Sequence, residues 1–222
     1  MAVKAIISYD GTTHDDDALM LGRMLAAAGA SLSLAYVRHT REYDPRREEI
    51  GAHDARRRLE QGAAWLGDAG VTTHIVIDPS TSAGLAALAS GEGADLIVFG
   101  SDYRTPPGRV EPQGSAQGLL NGGSVAIAVA AAGLRTGDGA GLRSVSVASA
   151  DESGPAARTA QALVAATGAE LVPGGRDADL IVVDSRADAV AGTVALDGTT
   201  RGRLDGARGS VLVVPGGTPL AF

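Results

Sequence analysis

Short apolar runs alternate with stretches of helical periodicity between positions 3 and 130. The runs that we predict as strands cover residues 3–9, 32–37, 71–77, 94–100 and 124–130. Strands that alternate with helices pair in parallel through right-handed crossovers. Their uninterrupted apolar character indicates a sheet that is covered on both faces. The sequence therefore predicts an α/β fold with a doubly wound parallel sheet.

The strand-and-helix pattern begins again after a Gly-rich stretch. The segment Ala-Asp-Leu-Ile-Val at 94–98 recurs at 178–182, and the same shift in numbering relates Gly114 to Gly198. Earlier matches, such as Gly29 with Gly168, follow a larger shift. The two shifts differ by 55, so the second half has lost a segment of that length after Val172-Pro173. A constant shift over about 30 residues is typical of an internal repeat.

The repeat predicts how the chain is divided. We expect a full-length domain at 1–132, a Gly-rich linker at 133–143 and a shortened second copy at 144–222. The second copy is predicted to have four strands, at 144–149, 169–173, 179–184 and 210–214. Because edge strands need pairing or covering, we expect the two halves to pack as a pseudo-dimer.

The composition excludes several classes of function. The net charge of −7 argues against a nucleic-acid partner, because such binding needs a basic surface. The chain has no Cys, which excludes disulfides, thiolate metal sites and Cys nucleophiles. The first residues lack the pattern of a signal peptide, and no apolar run reaches the ~18 residues of a membrane span. We therefore expect a cytoplasmic protein without a membrane partner.

Two features point to a ligand site in the first half. Asp10 ends the first predicted strand, and Gly114-Ser115 opens a helix after the fourth. Ligands of open parallel sheets bind beyond the carboxyl ends of the strands, and a helix start suits phosphate. Asp10 is placed to accept hydrogen bonds from a ribose or to help hold a phosphate-bound Mg²⁺.

Plainer interpretations exist for the same residues. Gly-Ser at a helix start is commonly an N-cap, and Asp-Gly after a strand is commonly a turn. The acids at 15–17 fit the first turn of a helix better than a metal site, so we predict no metal ligands. The arginines at 56–58 fit a solvated helix face.

The chain carries no recognisable catalytic motif. Its four His residues are scattered, at positions 14, 39, 53 and 74, and it has neither a P-loop nor a nucleophile elbow. We therefore predict no catalytic residues, and a dedicated enzyme is the weaker hypothesis. At most we consider weak ATP hydrolysis, for which Asp10 is the one evident general base.

The chain resembles the universal stress protein family. The resemblance rests on Ile-Ser-Tyr-Asp-Gly-Thr at 7–12, Ile-Asp-Pro at 77–79 and Ala-Asp-Leu-Ile-Val-Phe-Gly-Ser at 94–101. The Gly114-Ser115 helix and the Val-rich closing strand complete it. The family implies a five-stranded parallel sheet of order 3-2-1-4-5 with dimer-like pairing through the last strands. It also implies a stress-response regulatory or signalling role, in which a protein partner or self-association is expected.

The resemblance also implies a nucleotide site for ATP or AMP, with Mg²⁺ if the ligand is ATP. Asp10 and Gly11 would contact ribose or phosphate, and the backbone near Val37 would contact adenine. The residues that would cradle the phosphates are Gly100, Ser101, Gly114 and Ser115.

The family's Gly-x2-Gly-x9-Gly-[Ser/Thr] loop is altered in this chain. Tyr103 occupies the second glycine position, and Pro106-Pro107 lies inside a loop that is one residue longer than the pattern. In the second half Asp184 replaces the first glycine and Ser149 stands where Asp10 stood, so we expect no ATP site there. The alternative function is a non-nucleotide interaction or scaffold protein. A first cleft filled by Tyr103 or by the two prolines would favour it.

Overall fold

The first half of the chain alternates strands and helices as predicted. The computed structural model describes residues 2–222 except 69, 138–140, 150, 175 and 176. The elements of the first half are β1 (Lys4–Ser8), α1 (Asp15–Ala27), β2 (Ser31–Arg38), α2 (Pro45–Leu66), β3 (Thr72–Ile77), α3 (Thr81–Glu92), β4 (Leu96–Phe99), α4 (Gly114–Leu120) and β5 (Ala126–Val129).

The described residues of the second half form four strands, close to the predicted positions. Its elements are β6 (Ser144–Ala148), α5 (Pro155–Thr167), β7 (Glu170–Val172), β8 (Asp177–Asp184), α6 (Gly198–Asp205) and β9 (Arg208–Val214). The connection from β7 to β8 is short, at the point where the sequence comparison locates the missing segment. Part of this connection, 175–176, lies outside the described residues.

The nine strands of the described residues belong to one sheet, in the order β3-β2-β1-β4-β5-β9-β8-β6-β7. The order 3-2-1-4-5 predicted for the first half is therefore confirmed. β5 and β9 pair antiparallel, with Ala128 opposite Leu212, whereas the other neighbouring strands in the described ranges pair in parallel. The two halves thus share one sheet, and their carboxyl edges face opposite ways.

The loops after β4 and β8 repeat the same hydrogen bonds. The hydroxyl of Ser101 donates to the carbonyl of Ala130 at 2.7 Å, and that of Ser185 donates to the carbonyl of Val214 at 2.7 Å. The N–H groups of Glu111 and Ala195 donate back to these hydroxyls, at 3.2 and 3.3 Å. Both sets are related by the shift in numbering that relates Gly114 to Gly198. These contacts support the interpretation of 144–222 as a shortened second copy in a pseudo-dimer, which stays a prediction.

Two apolar cores lie on opposite faces of the sheet, and each continues across the β5–β9 junction. On one face Ala128 and Leu212 lie in the same buried cluster as residues of α1, α2 and α5. On the other, Val129 and Val211 share a cluster with residues of α3, α4 and α6. Because each core draws on both halves, each half covers apolar surface of the other.

The longest helix, α2, has 22 residues and well-defined ends. Asp44 caps its start by accepting from the N–H groups of Arg46 and Arg47 at 2.8 and 3.2 Å, and Pro45 fits the first helical position. Gly67 ends it in the left-handed region, at a φ of 75°. In the described ranges no helix has both the length and the apolarity that a membrane span requires.

The predicted linker at 133–143 is partly folded against the first half. Its first residues form a 3₁₀ turn that is tied to α1 by the fully buried Asp17. The Asp17 carboxylate accepts from the N–H groups of Gly133 and Arg135 at 2.9 and 2.8 Å, and from the Arg135 guanidinium at 2.7 Å. Residues 138–140 lie outside the described residues. Asp17, expected at a helix dipole, therefore anchors the chain where it leaves β5.

Candidate functional site

A cleft of about 310 Å³ lies at the carboxyl ends of β1 and β2, facing the start of α4. Three predicted site residues line it: Asp10, Val37 and Ser115. In a sheet of order 3-2-1-4-5, the crossover from β1 to β2 and the crossover from β3 to β4 place strands on opposite sides of β1, which opens a crevice at this edge. The fold thus brings together side chains that lie far apart in the sequence.

Two predicted glycines border the cleft without lining it. Gly11 has a φ of +88° and forms the turn that follows Asp10, which only glycine adopts without strain. Gly114 lies between Gln113 and Ser115, both of which line the cleft. A Cβ atom built on Gly114 would meet no atom of the described chain within 4 Å, so this position has open space beside it.

The remaining two predicted residues, Gly100 and Ser101, make contacts that stabilise the fold. A Cβ atom on Gly100 would lie 2.3 Å from the carbonyl oxygen of His14, so glycine there allows the start of α1 to approach β4. Ser101 is 1% exposed, and its hydroxyl serves the loop contacts described above. Neither residue lines the cleft. Their observed contacts are with the protein itself, and their role in cradling phosphates stays a prediction.

The altered loop folds away from the cleft. Its two arms pair through the Asp102 N–H, which donates to the Glu111 carbonyl at 2.8 Å. At its tip, Gly108 donates to Ala132 at 2.9 Å, which draws the adjacent prolines towards the end of β5. Tyr103 is 61% exposed. Neither Tyr103 nor the prolines line the cleft, so the filling that would have favoured the scaffold alternative is not observed.

A pair of acids, Asp10 and Asp15, forms the floor of the cleft. Asp15 is 6% exposed, and its carboxyl group accepts from the N–H of Asp10 at 3.1 Å and from the hydroxyl of Thr12 at 2.9 Å. Burial, together with the adjacent Asp10, raises the pKa of Asp15 to about 8. Burial also opposes the charge of Asp10, but hydrogen bonds from Asp15 and Thr12 lower its pKa below the usual range. At neutral pH the pair therefore carries one proton, held on Asp15.

The raised pKa of Asp15 makes stability depend on pH. The contribution of Asp15 to the free energy of unfolding is complete below about pH 4, where its carboxyl is protonated in both the folded and the unfolded state. This contribution is lost as the pH rises towards 8. We expect Asp15→Asn, which mimics the protonated form, to flatten this profile. At pH 9 the variant should exceed the wild type in free energy of unfolding by about 1.4 kcal/mol or more, the equivalent of one pKa unit.

Urea unfolding at pH 5, 7 and 9 measures this difference. The exposed Asp205 on α6 provides the control, because Asp205→Asn removes a carboxyl group that does not line the cleft. Parallel profiles for the wild type and Asp15→Asn would contradict the assignment of the proton to Asp15.

Arg58 of α2 closes one side of the cleft. Its guanidinium donates to the carbonyl of Asp10 and lies 5.5 Å from the centre of the Tyr36 ring. The prediction of a solvated face for 56–58 is incomplete for Arg58, which is exposed but also contacts Asp10 and Tyr36. A signal was available, because Arg58 shares a helix face with the buried Ala55 and Gly62.

A wider groove of about 410 Å³ adjoins the cleft between the end of β2 and α2. The residues that line both are Tyr36, His39 and Arg58. Other cleft-lining residues that sequence reasoning missed are Thr81 and Gln113. They lie at the starts of α3 and α4, where no local pattern distinguishes them from ordinary helix starts.

A second cleft, of about 460 Å³, occupies the corresponding edge of the second half. It is lined by Asp184 and Asp197, among others. The Asp184 carboxylate accepts from the N–H of Ala156 at 2.7 Å and from the hydroxyl of Ser149. Hydrogen bonds from the N–H and hydroxyl of Thr200 lower the pKa of Asp197, which keeps it ionised. Carboxylates at these positions disfavour an anionic ligand.

Neither cleft groups its described acids into a candidate metal site. Within the described ranges, no three or more His, Cys, Asp or Glu side chains are grouped so that they could hold a metal ion.

Comparison with known proteins identifies relatives of the chain. A universal stress protein from Archaeoglobus fulgidus DSM 4304 has a similar fold, with a TM-score of 0.71 at 14% identity, covering 96% of this chain and 98% of that one. A functionally unknown protein from Pseudomonas aeruginosa PAO1 gives a TM-score of 0.63 at 13% identity, covering 96% and 93%. A universal stress family protein from Burkholderia pseudomallei is 29% identical over 44% of this chain and 80% of that chain, with a TM-score of 0.38.

At such identities the first two structures show the fold. A comparison with the curated proteins finds no match. The model of the universal stress protein family matches residues 1–133, which is more than half of the chain. The chain therefore belongs to the universal stress protein family.

Proposed function

We propose that the chain is a cytoplasmic stress-response regulatory or signalling protein whose first half binds an adenine nucleotide, ATP or AMP. Membership of the family implies the role in the stress response. The observation that carries the nucleotide site is the meeting of Asp10, Val37 and Ser115 in one cleft. These are the positions to which the family resemblance assigns contacts with ribose, adenine and phosphate.

The dimensions and surroundings of the cleft support this proposal. Its volume of about 310 Å³ is at the lower end of the range for small-molecule sites, and the adjoining groove extends it. The space beside Gly114 allows a phosphate group to approach the backbone closely. If the ligand is ATP, Mg²⁺ would accompany its phosphates, with Asp10 as the nearest candidate carboxylate.

Calorimetric titration with ATP and AMP, with and without Mg²⁺, tests the site. We expect saturable binding by the wild type that is lost in Asp10→Ala. The matched control is Ser149→Ala, which alters the corresponding position of the second cleft and should bind like the wild type. A wild type that binds neither nucleotide at millimolar concentration would overturn the proposal.

A second variant separates binding from folding. Gly114→Ala should leave the unfolding midpoint unchanged or slightly higher, because the added methyl meets no protein atom and alanine favours helix. It should weaken nucleotide binding about tenfold, or ~1.4 kcal/mol, by entering the space proposed for phosphate. Gly198 has the same open surroundings in the second half, so Gly198→Ala is the control and should bind normally.

The folding of the altered loop favours a second candidate function. Because the loop turns towards β5 instead of wrapping the cleft, it leaves Tyr103 exposed beside Arg104, whose guanidinium lies 4.9 Å from the ring centre. An exposed aromatic of this kind suits an interaction or scaffold protein that recognises a protein partner or a second copy of itself. Absence of nucleotide binding in the wild type would turn the search to that function.

A further inference from the structure

The cleft contains one permanent positive charge. Of the described residues that line it, Arg58 alone is a lysine or an arginine. An arginine offers five N–H donors in a fixed planar arrangement that fits phosphate. The contact with the Asp10 carbonyl uses one nitrogen, Nη1, so Nη2 and Nε remain for a ligand.

Two contacts hold Arg58 in place. Its guanidinium is bonded to the carbonyl of Asp10 and lies over the Tyr36 ring. A side chain that is already ordered loses less conformational entropy when a ligand binds. Arg58 is therefore prepared for an anion at the rim between the cleft and the groove.

The opposite side of the cleft, at α4, has fewer groups that could bind an anion. α4 has only seven residues, its N-cap residue Gln113 makes no capping hydrogen bond, and its sequence contains no basic residue. The loop that would surround a phosphate in this family is folded towards β5. An anionic group at α4 would thus depend on backbone N–H groups and Ser115.

The charges around the cleft leave Arg58 available. Asp10 is ionised and lies beside it, whereas the raised pKa of Asp15 keeps that acid protonated at neutral pH. His39 also lines this side of the cleft. With one ionised acid facing one arginine, an added anion meets little net repulsion.

We propose that Arg58 supplies the positive charge that binds the anionic group of the ligand in the first cleft. The inference rests on the proposed nucleotide site and adds to it a binding residue from α2. It predicts that the protein distinguishes a nucleotide from its nucleoside by means of Arg58.

Titration of AMP and adenosine into the wild type, Arg58→Gln and Arg57→Gln tests this role. We expect the wild type to prefer AMP, and Arg58→Gln to lose about tenfold in AMP affinity with adenosine affinity unchanged. Arg57 is the neighbouring exposed arginine and does not line the cleft, so Arg57→Gln should behave as the wild type. Arg58→Lys keeps the charge and should retain most of the preference for AMP.

The outcomes separate this inference from the proposed function. A wild type that binds neither ligand overturns the nucleotide site itself. A wild type that binds both, with an AMP-to-adenosine ratio unchanged by Arg58→Gln, overturns the role of Arg58 alone. Because Arg58 is exposed, both variants should fold, and thermal unfolding confirms this. If Arg58→Gln nevertheless unfolds, Arg58→Ala takes its place, and an AMP-to-adenosine ratio unchanged in that variant equally counts against the inference.

Discussion

Replacement of Asp17 by alanine is expected to lower the free energy of unfolding by about 3 kcal/mol. The substitution removes the partner of the Arg135 guanidinium and leaves the N–H groups of Gly133 and Arg135 without their acceptor. We place the value at the lower end for a buried ion pair, because the Arg135 side chain is 29% exposed.

Urea unfolding of Asp17→Ala measures this loss. The neighbouring Asp16→Ala is the control, since Asp16 accepts a long hydrogen bond, 3.5 Å, from the hydroxyl of Tyr9. The control should lose less than about 1 kcal/mol. A loss below about 1 kcal/mol for Asp17→Ala as well would show that its contacts with the 3₁₀ turn contribute little to stability.

Residues 143–222 expressed alone are expected to show no cooperative thermal transition. Without the first half, β9 loses its pairing with β5, and the side chains of Leu212 and Val211 lose their partners in both cores. A unit of this size buries a smaller share of its surface on folding than a larger domain does, so its stability is marginal. An open β9 edge also favours aggregation.

Circular dichroism during heating of this fragment makes the measurement. The comparison fragment is 1–137, which keeps five strands, four helices and the contact of Asp17 with Arg135. We expect this longer fragment to unfold cooperatively. A sharp transition for 143–222 would show that the second half is an independent domain.

The sequence predicts the strands well, because a strand buried on both faces is a local pattern. β4 and β8 appear as nearly identical apolar runs, and both form close to the predicted limits. The order of the strands is not a local property, and here it came from the resemblance to a family. Pairing of the two halves through their last strands was likewise implied by the resemblance, but the antiparallel direction of β5 and β9 was not.

The candidate site was predicted in part. Asp10, Val37 and Ser115 meet because each lies at the same edge of the sheet, which strand direction alone predicts. Gly100 and Ser101 also lie at this edge, but the carbonyl of His14 and the backbone that follows β5 occupy their surroundings. The type and position of a small residue in the sequence do not show whether it contacts a ligand or another part of the chain.

Long-range polar contacts were beyond sequence reasoning. Asp17 and Arg135 are 118 positions apart, and no periodicity connects them. The acids at 15–17 look alike in the sequence. Asp15 nevertheless has a raised pKa in the cleft, whereas Asp17 anchors the 3₁₀ turn. What distinguishes them is the direction in which each helix position faces, and this depends on the partners that the fold supplies.

The antiparallel pairing of β5 with β9 should not depend on the concentration of the protein. Two separate chains joined at their edge strands come apart when the total concentration falls below their dissociation constant. β5 and β9 belong to one polypeptide, so their pairing is a unimolecular equilibrium governed by an effective local concentration. The β5 edge should therefore stay paired at any dilution at which the chain itself remains folded.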